Sequence, residues 1–441
     1  MIGRLAAILG LMAALAGAAL AAPSATQSAD DLISKLLKGS PPAQSTTLPL
    51  AQPAARPPAG GTIPIVMSAR IGEHADRTRF IVEISDPVAM RVFTLANPNR
   101  VVIDMPAVQW HLDDAPRPTG TGAVKGYRYG LFRPGNSRFV IDLNKPMSAT
   151  PPKVLPPSGG YGYRVVIDLL PTSADAFERS AGWPADLKAR EAAAETLAAL
   201  PPAPSPAPAE KRVIVIDAGH GGIDSGTSGV NGLMEKDLVL DEALRLGREL
   251  VRRANFTVHL TRDSDVYIPL TERTRIARSW HADLFISLHA DSNPDSGVSG
   301  SSIYTLSERG SDREAAALAR KENQSDVIAG VDLAGGNSAV APILIDLAQR
   351  DTMNRSSRFA EATVTQLSSA TDILPRQPHR SAAFVVLKAP DVPSVLIELG
   401  YLSNADDAGR MNSVRWRNGV AGAIASAVDG YFGDTPTAGF P

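Results

Sequence analysis

Val213-Ile214-Val215-Ile216-Asp217-Ala218-Gly219-His220-Gly221-Gly222 is the stretch that decides how the second half of this chain folds. Its consecutive β-branched residues read as a strand buried on both faces, and the strand runs straight into a glycine-rich turn that carries a histidine. Glu235 to Arg253 follows with apolar residues at helical spacing: Leu240, Ala243, Leu244, Gly247, Leu250 and Val251. Phe256 to Leu260 reads as a second strand, Thr271 as the cap of a helix reaching Trp280, and Asp283 to Leu288 as a third strand. Ala383 to Leu387, Ser394 to Leu399 and a closing helix from Val414 to Tyr431 continue the series. This alternation predicts an α/β domain over residues 211–433, with a mostly parallel sheet flanked by helices.

The chain has 441 residues, so other domains precede this one. Phe80 to Ile84, Arg91 to Leu95, Arg100 to Asp104, Arg138 to Leu143 and Tyr163 to Asp168 are short β-branched runs bounded by turn residues. They predict an all-β sandwich over residues 62–171. Residues 1–21 read as a signal peptide for the general secretory route: Arg4, an apolar run from Leu5 to Leu20, and Ala19-Leu20-Ala21 as a small-residue cleavage site. Residues 22–61 are rich in Pro, Ala, Ser, Thr and Gln and read as a disordered linker. A second, Ala/Pro-rich connector spans 172–210, with a helical stretch from Ala185 to Leu200, and 434–441 form a tail. No stretch after the signal peptide is long and apolar enough to span a bilayer. The formal net charge of −2 gives no broad pull toward nucleic acid. The chain contains no cysteine, so thiolate ligands are excluded and any metal must be held by His and carboxylates.

Ligands of open parallel sheets bind outside the carboxyl ends of the strands. His220 follows the first strand of the α/β segment, His289 ends the third, and Glu398 ends a late one. Glu235 opens the first helix, so its carboxylate can point back to the same rim. Two His and one Glu suit a catalytic zinc ion and leave a position for water. A further carboxylate, Glu398, is then available to move the proton. Two other readings stay open on pattern alone. The Gly-His-Gly-Gly turn could cradle phosphate, and a buried histidine is most often structural. His74, His111, His259, His281 and His379 are read as structural or surface residues, and Arg262 and Arg273 as salt-bridge partners within the fold. Trp110, Tyr127, Tyr129 and Phe132 are read as core in preference to a sugar platform.

The segments Val215 to Gly226, Gly232-Leu233-Met234-Glu235-Lys236, Ala282 to Asp291 and Val386 to Asn404 together resemble the zinc-dependent N-acetylmuramoyl-L-alanine amidases of the periplasmic cell-separation type. The resemblance implies one zinc ion on His220, Glu235 and His289, with Glu398 catalytic. It implies cleavage of the amide between N-acetylmuramic acid and L-alanine in peptidoglycan, at the division septum. The β domain resembles that family's AMIN-like peptidoglycan-binding domain. Asp291 stands where many relatives carry Asn. Residues 307–352 resemble the insertion of a regulated subgroup, with Glu308 to Ile328 helical. The resemblance makes Glu322 the first candidate, and Glu314 the second, for a side chain that blocks the zinc until a periplasmic or envelope-anchored activator protein displaces it. The alternatives are an inactive peptidoglycan-binding regulator and a zinc peptidase acting within the stem peptide. A nucleotide-binding module lacks the G-x-G-x-x-G or Walker lysine it would need.

Overall fold

Alternation along the strands builds both domains of this computed structural model. It describes residues 63–433 apart from 113–119, 134, 159–160, 190–210, 254 and 332–343. The expected signal peptide, the 22–61 linker, most of the second connector and the tail lie outside the described residues.

The β domain contains β1 (Ile65–Glu73), β2 (Thr78–Ile84), β3 (Arg91–Leu95), β4 (Arg100–Pro106), β5 (Gln109–Trp110), β6 (Val124–Arg133), β7 (Asn136–Leu143), β8 (Met147–Ala149), β9 (Lys153–Leu155) and β10 (Tyr163–Pro171). One sheet runs β5-β1-β2-β10-β8 with β9 on β10, and the other runs β3-β4-β7-β6. Val101 and Ile103 of β4 and Phe139 and Ile141 of β7 face inward, against Phe80, Val82, Val165 and Ile167 of the other sheet. Burying each of these large side chains is worth roughly 1.5–3 kcal/mol. Trp110 and Tyr129 both pack on Phe139, with ring centroids 5.0 and 5.5 Å away. Tyr127 packs on Phe80 at 5.7 Å, so these aromatics are tied to the core rather than laid out as a sugar platform. The alternate residues Arg100, Val102, Arg138 and Val140 face outward, with Arg100 and Arg138 buried all the same. Their cover is the second domain. A short helix, α1 (Ala174–Ser180), capped by the Ser173 hydroxyl at 3.2 Å, leaves β10.

The α/β domain follows with β11 (Arg212–Ala218), α2 (Glu235–Arg252), β12 (Phe256–Leu260), α3 (Leu270–Ser279), β13 (Leu284–His289), β14 (Ser302–Leu306), α4 (Arg313–Glu322), α5 (Ser325–Ile328), α6 (Leu344–Leu367), β15 (His379–Ala382), β16 (Ser394–Glu398), α7 (Ala405–Met411) and α8 (Val414–Gly433). The sheet order is β12-β11-β13-β16-β14-β15. The pairs from β12 to β16 are parallel, β14 is antiparallel to β16, and β15 is parallel to β14. Both faces are covered, which is why the strands read as unbroken apolar runs. Ile214 and Ile216 face one core with Leu238, Leu246, Phe359 and Ile424, whereas Val215 faces the other with Phe285, Tyr304, Ala315 and Ala319.

Three expectations need correction. Thr271 does not cap its helix; Pro269 holds the cap position, and the Asp326 carboxylate takes the Leu270 N–H at 3.0 Å instead. The stretch 383–387 is not a strand, because β15 ends at Ala382 and Val385–Leu387 make one tight helical turn. The helix expected over 308–328 is two pieces. Between them, Asn323 donates to Ala383 O at 2.9 Å and accepts from Val385 N–H at 2.8 Å, which pins the break to the neighbouring loop.

Glu242 on the buried side of α2 has no hydrogen-bond partner for either carboxylate oxygen. Burial, against the pull of Arg245, raises its pKa to about 8. The folded chain therefore keeps a proton that the unfolded chain loses near pH 4.5. Stability from this group is complete below pH 4.5 and is lost as pH rises to about 8. Glu242→Gln should match the parent at pH 4 and exceed it by a few kcal/mol at pH 9 in denaturant melts. Equal stability at both pH values would show that the carboxyl is solvated.

Candidate metal centre

Three strand ends lie side by side. Ala218 on β11 is in register with Leu288 on β13, and His289 is in register with Glu398 on β16. The turn after β11 brings His220 over β13. Gly219 is required there, since a Cβ would sit 2.5 Å from the His289 ring. His220 itself has φ +56°, a left-handed backbone that costs a non-glycine residue about 1 kcal/mol or more and marks a constrained turn. Two buried arginines hold it. Arg273 donates to His220 O at 2.8 Å and pairs with Asp217 at 2.9 Å. Arg262 donates to Ala218 O at 2.9 Å and Gly219 O at 2.7 Å. Arg273 is the salt-bridge partner the sequence predicts, whereas Arg262 acts through main-chain carbonyls instead of an ion pair.

Glu235 is the first residue of α2, where the helix dipole favours a carboxylate. Its Oε2 accepts from Thr227 N–H and its Oε1 from Ala290 N–H, both at 2.9 Å. Glu322, the last residue of α4, is buried and reaches the same point from the opposite side. His220 Nε2 lies 3.1 Å from Glu235 Oε1 and 3.4 Å from Glu322 Oε2. His289 Nδ1 lies 3.2 Å from each of the same two oxygens. Ligand atoms at about 2.0–2.1 Å from a tetrahedral zinc ion are themselves about 3.3 Å apart. His220 Nε2 has no aligned hydrogen-bond partner despite this crowding. Each of the two imidazole nitrogens thus lies within 3.4 Å of both carboxylate oxygens. His220, His289 and Glu322 form a group able to hold a metal ion. Behind it, His220 Nδ1 is 2.9 Å from Asp224 Oδ2, the orienting carboxylate that metal-binding imidazoles commonly have.

The electrostatics point the same way. Burial opposes charge on His220, yet Glu235, Asp224 and Glu322 together hold its pKa well above the ordinary range. Burial likewise opposes charge on His289, but Glu322 and Glu235 push its pKa up to about 10. So much buried negative charge calls for positive charge at the centre, from protons or from a metal. Glu398 is fully buried beside it. Its Oε2 accepts from Asp291 N–H at 3.0 Å, and its Oε1 has no hydrogen-bond partner. Burial raises its pKa well above the carboxylate range; His289 opposes the rise, and Asp291, Glu235 and Glu322 add to it.

Glu314, the second blocking candidate, is exposed and pairs with Arg380 at 3.1 Å, away from the cluster. Asp291, where many relatives carry Asn, faces the same site. It is buried, accepts from the Thr227 hydroxyl at 2.6 Å, and forms an ion pair with Lys321, the residue before Glu322. His259 stacks on Trp280 with centroids 3.7 Å apart, and His379 meets the Thr305 hydroxyl at 3.1 Å. Neither is part of the metal cluster, nor are His74, His111 and His281.

Strand-end histidines and carboxylates on a mostly parallel sheet define a domain whose rim gathers a group that could hold a metal ion. A family model described as N-acetylmuramoyl-L-alanine amidase matches residues 214–430, and an AMIN domain model matches residues 68–169. The chain is 33% identical over 393 residues to the N-acetylmuramoyl-L-alanine amidase AmiC of Escherichia coli O6:H1, covering 84% of this chain and 90% of the relative. It is 32% identical to AmiC of Neisseria meningitidis serogroup B, with 83% and 90% coverage. AmiA of Escherichia coli K12 is 38% identical over 223 residues, covering 50% of this chain and 76% of the relative. The chain belongs to the N-acetylmuramoyl-L-alanine amidase family, with an N-terminal AMIN domain; it is a peptidoglycan amidase. No helix among the described residues is long and apolar enough to cross a membrane.

Proposed function

We propose that this amidase is zinc-dependent, that His220, Glu235 and His289 hold one zinc ion, and that Glu322 takes the fourth position at rest. The observation that carries this is the convergence of two imidazole nitrogens on two carboxylate oxygens at 3.1 to 3.4 Å. Three ligands come from the rim of the sheet, and the fourth from a separate helix that can leave without disturbing them. When bound, the ion supplies a Lewis acid that polarises the scissile carbonyl and makes water acidic. Asp224 orients His220 through Nδ1, and Thr227 and Ala290 N–H groups orient Glu235. Glu398 Oε1, ionised once the positive charge of a bound ion offsets the rise in its pKa, would take a proton from the attacking water and pass it to the departing nitrogen of L-alanine. Departure of Glu322 makes room for the substrate carbonyl and that water.

The same reading places the chain in the periplasm, exported by a signal peptide, where it splits septal peptidoglycan during daughter-cell separation. The relatives named AmiC support this, as does the AMIN domain, which we assign to peptidoglycan binding. An activator protein would displace the Glu322 helix. Elemental analysis tests the metal assignment. The purified chain should hold one zinc per molecule. Asp224→Ala should weaken zinc binding by about 10- to 100-fold in competition with a chelator, because His220 loses its orienting partner. Zinc retained by His220→Ala at wild-type affinity would overturn the ligand set.

A further inference from the structure

We propose that the outer face of the β3-β4-β7-β6 sheet of the AMIN domain is a receptor surface for residues 327–331, and that this grip holds Glu322 in the metal centre. The inference rests on the reading of Glu322 as the resting ligand. Glu322 ends α4, and α5 carries the chain a further turn to Ile328, where it meets the β domain. The last carbonyls of a helix lack intrahelical partners and must find donors elsewhere. Here arginines from three strands supply them, adding at Val327 O to the Gly330 N–H at 3.1 Å. Arg100 on β4 donates to Val327 O at 2.6 Å, and Arg128 on β6 donates to Ile328 O. Arg138 on β7 donates to both Ala329 O and Gly330 O at 3.0 Å. Trp183, after α1, donates to Gly330 O at 3.4 Å.

The surface is shaped for this segment. Asp104 holds the buried Arg138 guanidinium by two hydrogen bonds, at 2.5 and 2.8 Å, and Arg138 lies 3.5 Å over the Phe132 ring. Ala329 and Val331 complete an apolar cluster with Phe93, Val102, Phe132 and Val140 of the β domain and Ile223 and Tyr267 of the catalytic domain. Gly330 has φ +72°, and a Cβ there would come within 3.0 Å of Val140 and 3.2 Å of Val102. Arginine donors aimed at main-chain carbonyls recognise a backbone shape with little regard to side chains. From its other side the catalytic domain holds the same segment: Asp326 accepts from the Tyr267 hydroxyl at 2.6 Å, and Ser325 bonds to Asp224. The blocking helix is thus tied down by both domains, and the AMIN domain sets how readily it leaves.

The test uses the full zinc-loaded chain without activator and follows dye release from labelled sacculi. Arg100→Gln/Arg128→Gln together should raise basal release on the order of five- to a hundredfold, the range of ordinary coupling between sites. Gly330→Ala, which changes no β-domain residue, should do the same. Arg79→Gln is the control. Arg79 lies on β2 of the other sheet and pairs with Asp168 at 2.6 Å, so its loss should leave basal release unchanged. Hydrogen exchange at residues 323–331 should speed up in the first two variants only. Glu322→Ala separates the two readings. If it raises release while the arginine and Gly330 variants stay at the parental rate with unchanged exchange, the receptor surface is wrong and the resting ligand stands. If Glu322→Ala also stays at the parental rate, both fall.

Discussion

Glu322→Ala should release dye from labelled sacculi without any activator, on the order of ten- to a hundredfold faster than the parent chain. The substitution removes the side chain that lies within hydrogen-bonding distance of both His220 and His289. It leaves other holds on the helix in place: the Lys321–Asp291 ion pair, and Ala315 and Ala319 packed in the core beside Tyr304. A full release is therefore not expected from this change alone. Adding Lys321→Ala should raise the rate further, since Lys321 also reaches the Thr227 hydroxyl at 3.0 Å. Zinc content should stay at one per chain in both variants, because the three rim ligands are untouched. A parental rate in both would show that the helix does not limit access.

Glu398→Gln in the Glu322→Ala chain should lose roughly 10²- to 10⁴-fold in kcat, the usual contribution of a positioned proton carrier, while keeping its zinc. The amide fills the same space and can still receive the Asp291 N–H through its oxygen. Binding of sacculi should persist. Loss of the metal would move Glu398 into the ligand set, and an unchanged kcat would remove it from the proton path.

Much of this site is legible in the sequence for one physical reason. An unbroken β-branched run such as Val213 to Ile216 has to be a buried strand, and the residue after a buried parallel strand has to emerge at the ligand rim. His220, His289 and Glu398 follow directly from this, and Glu235 follows from the start of the next helix. Glu322 does not, because it lies on no strand end; only the likeness of residues 307–352 to a regulated subgroup points to it. Asp291 is equally hidden, since its role depends on Lys321 arriving across the site.

The β domain is legible where its strands are β-branched and obscure where they are not. β1 contains Met67, Ser68, Ala69 and Gly72, and β6 contains Gly126 and Gly130, so neither stands out by propensity. The arginine grip is out of reach altogether. Arg100 and Val327 are separated by 227 positions, and a guanidinium that recognises main-chain carbonyls leaves no complementary residue to find. The missing side-chain cap of α3 has the same cause, since the carboxylate that accepts the Leu270 N–H, Asp326, belongs to that distant segment.

The bond that is cut decides whether the metal centre works as assigned, and mass spectrometry of the soluble products released from purified sacculi by the zinc-loaded Glu322→Ala chain identifies it. The expected products are stem peptides beginning with a free L-alanine amine, and glycan strands that retain intact N-acetylmuramic acid with a free lactyl carboxylate. Fragments cut within the stem peptide, or peptide still attached to muramic acid in every product, would contradict the assignment.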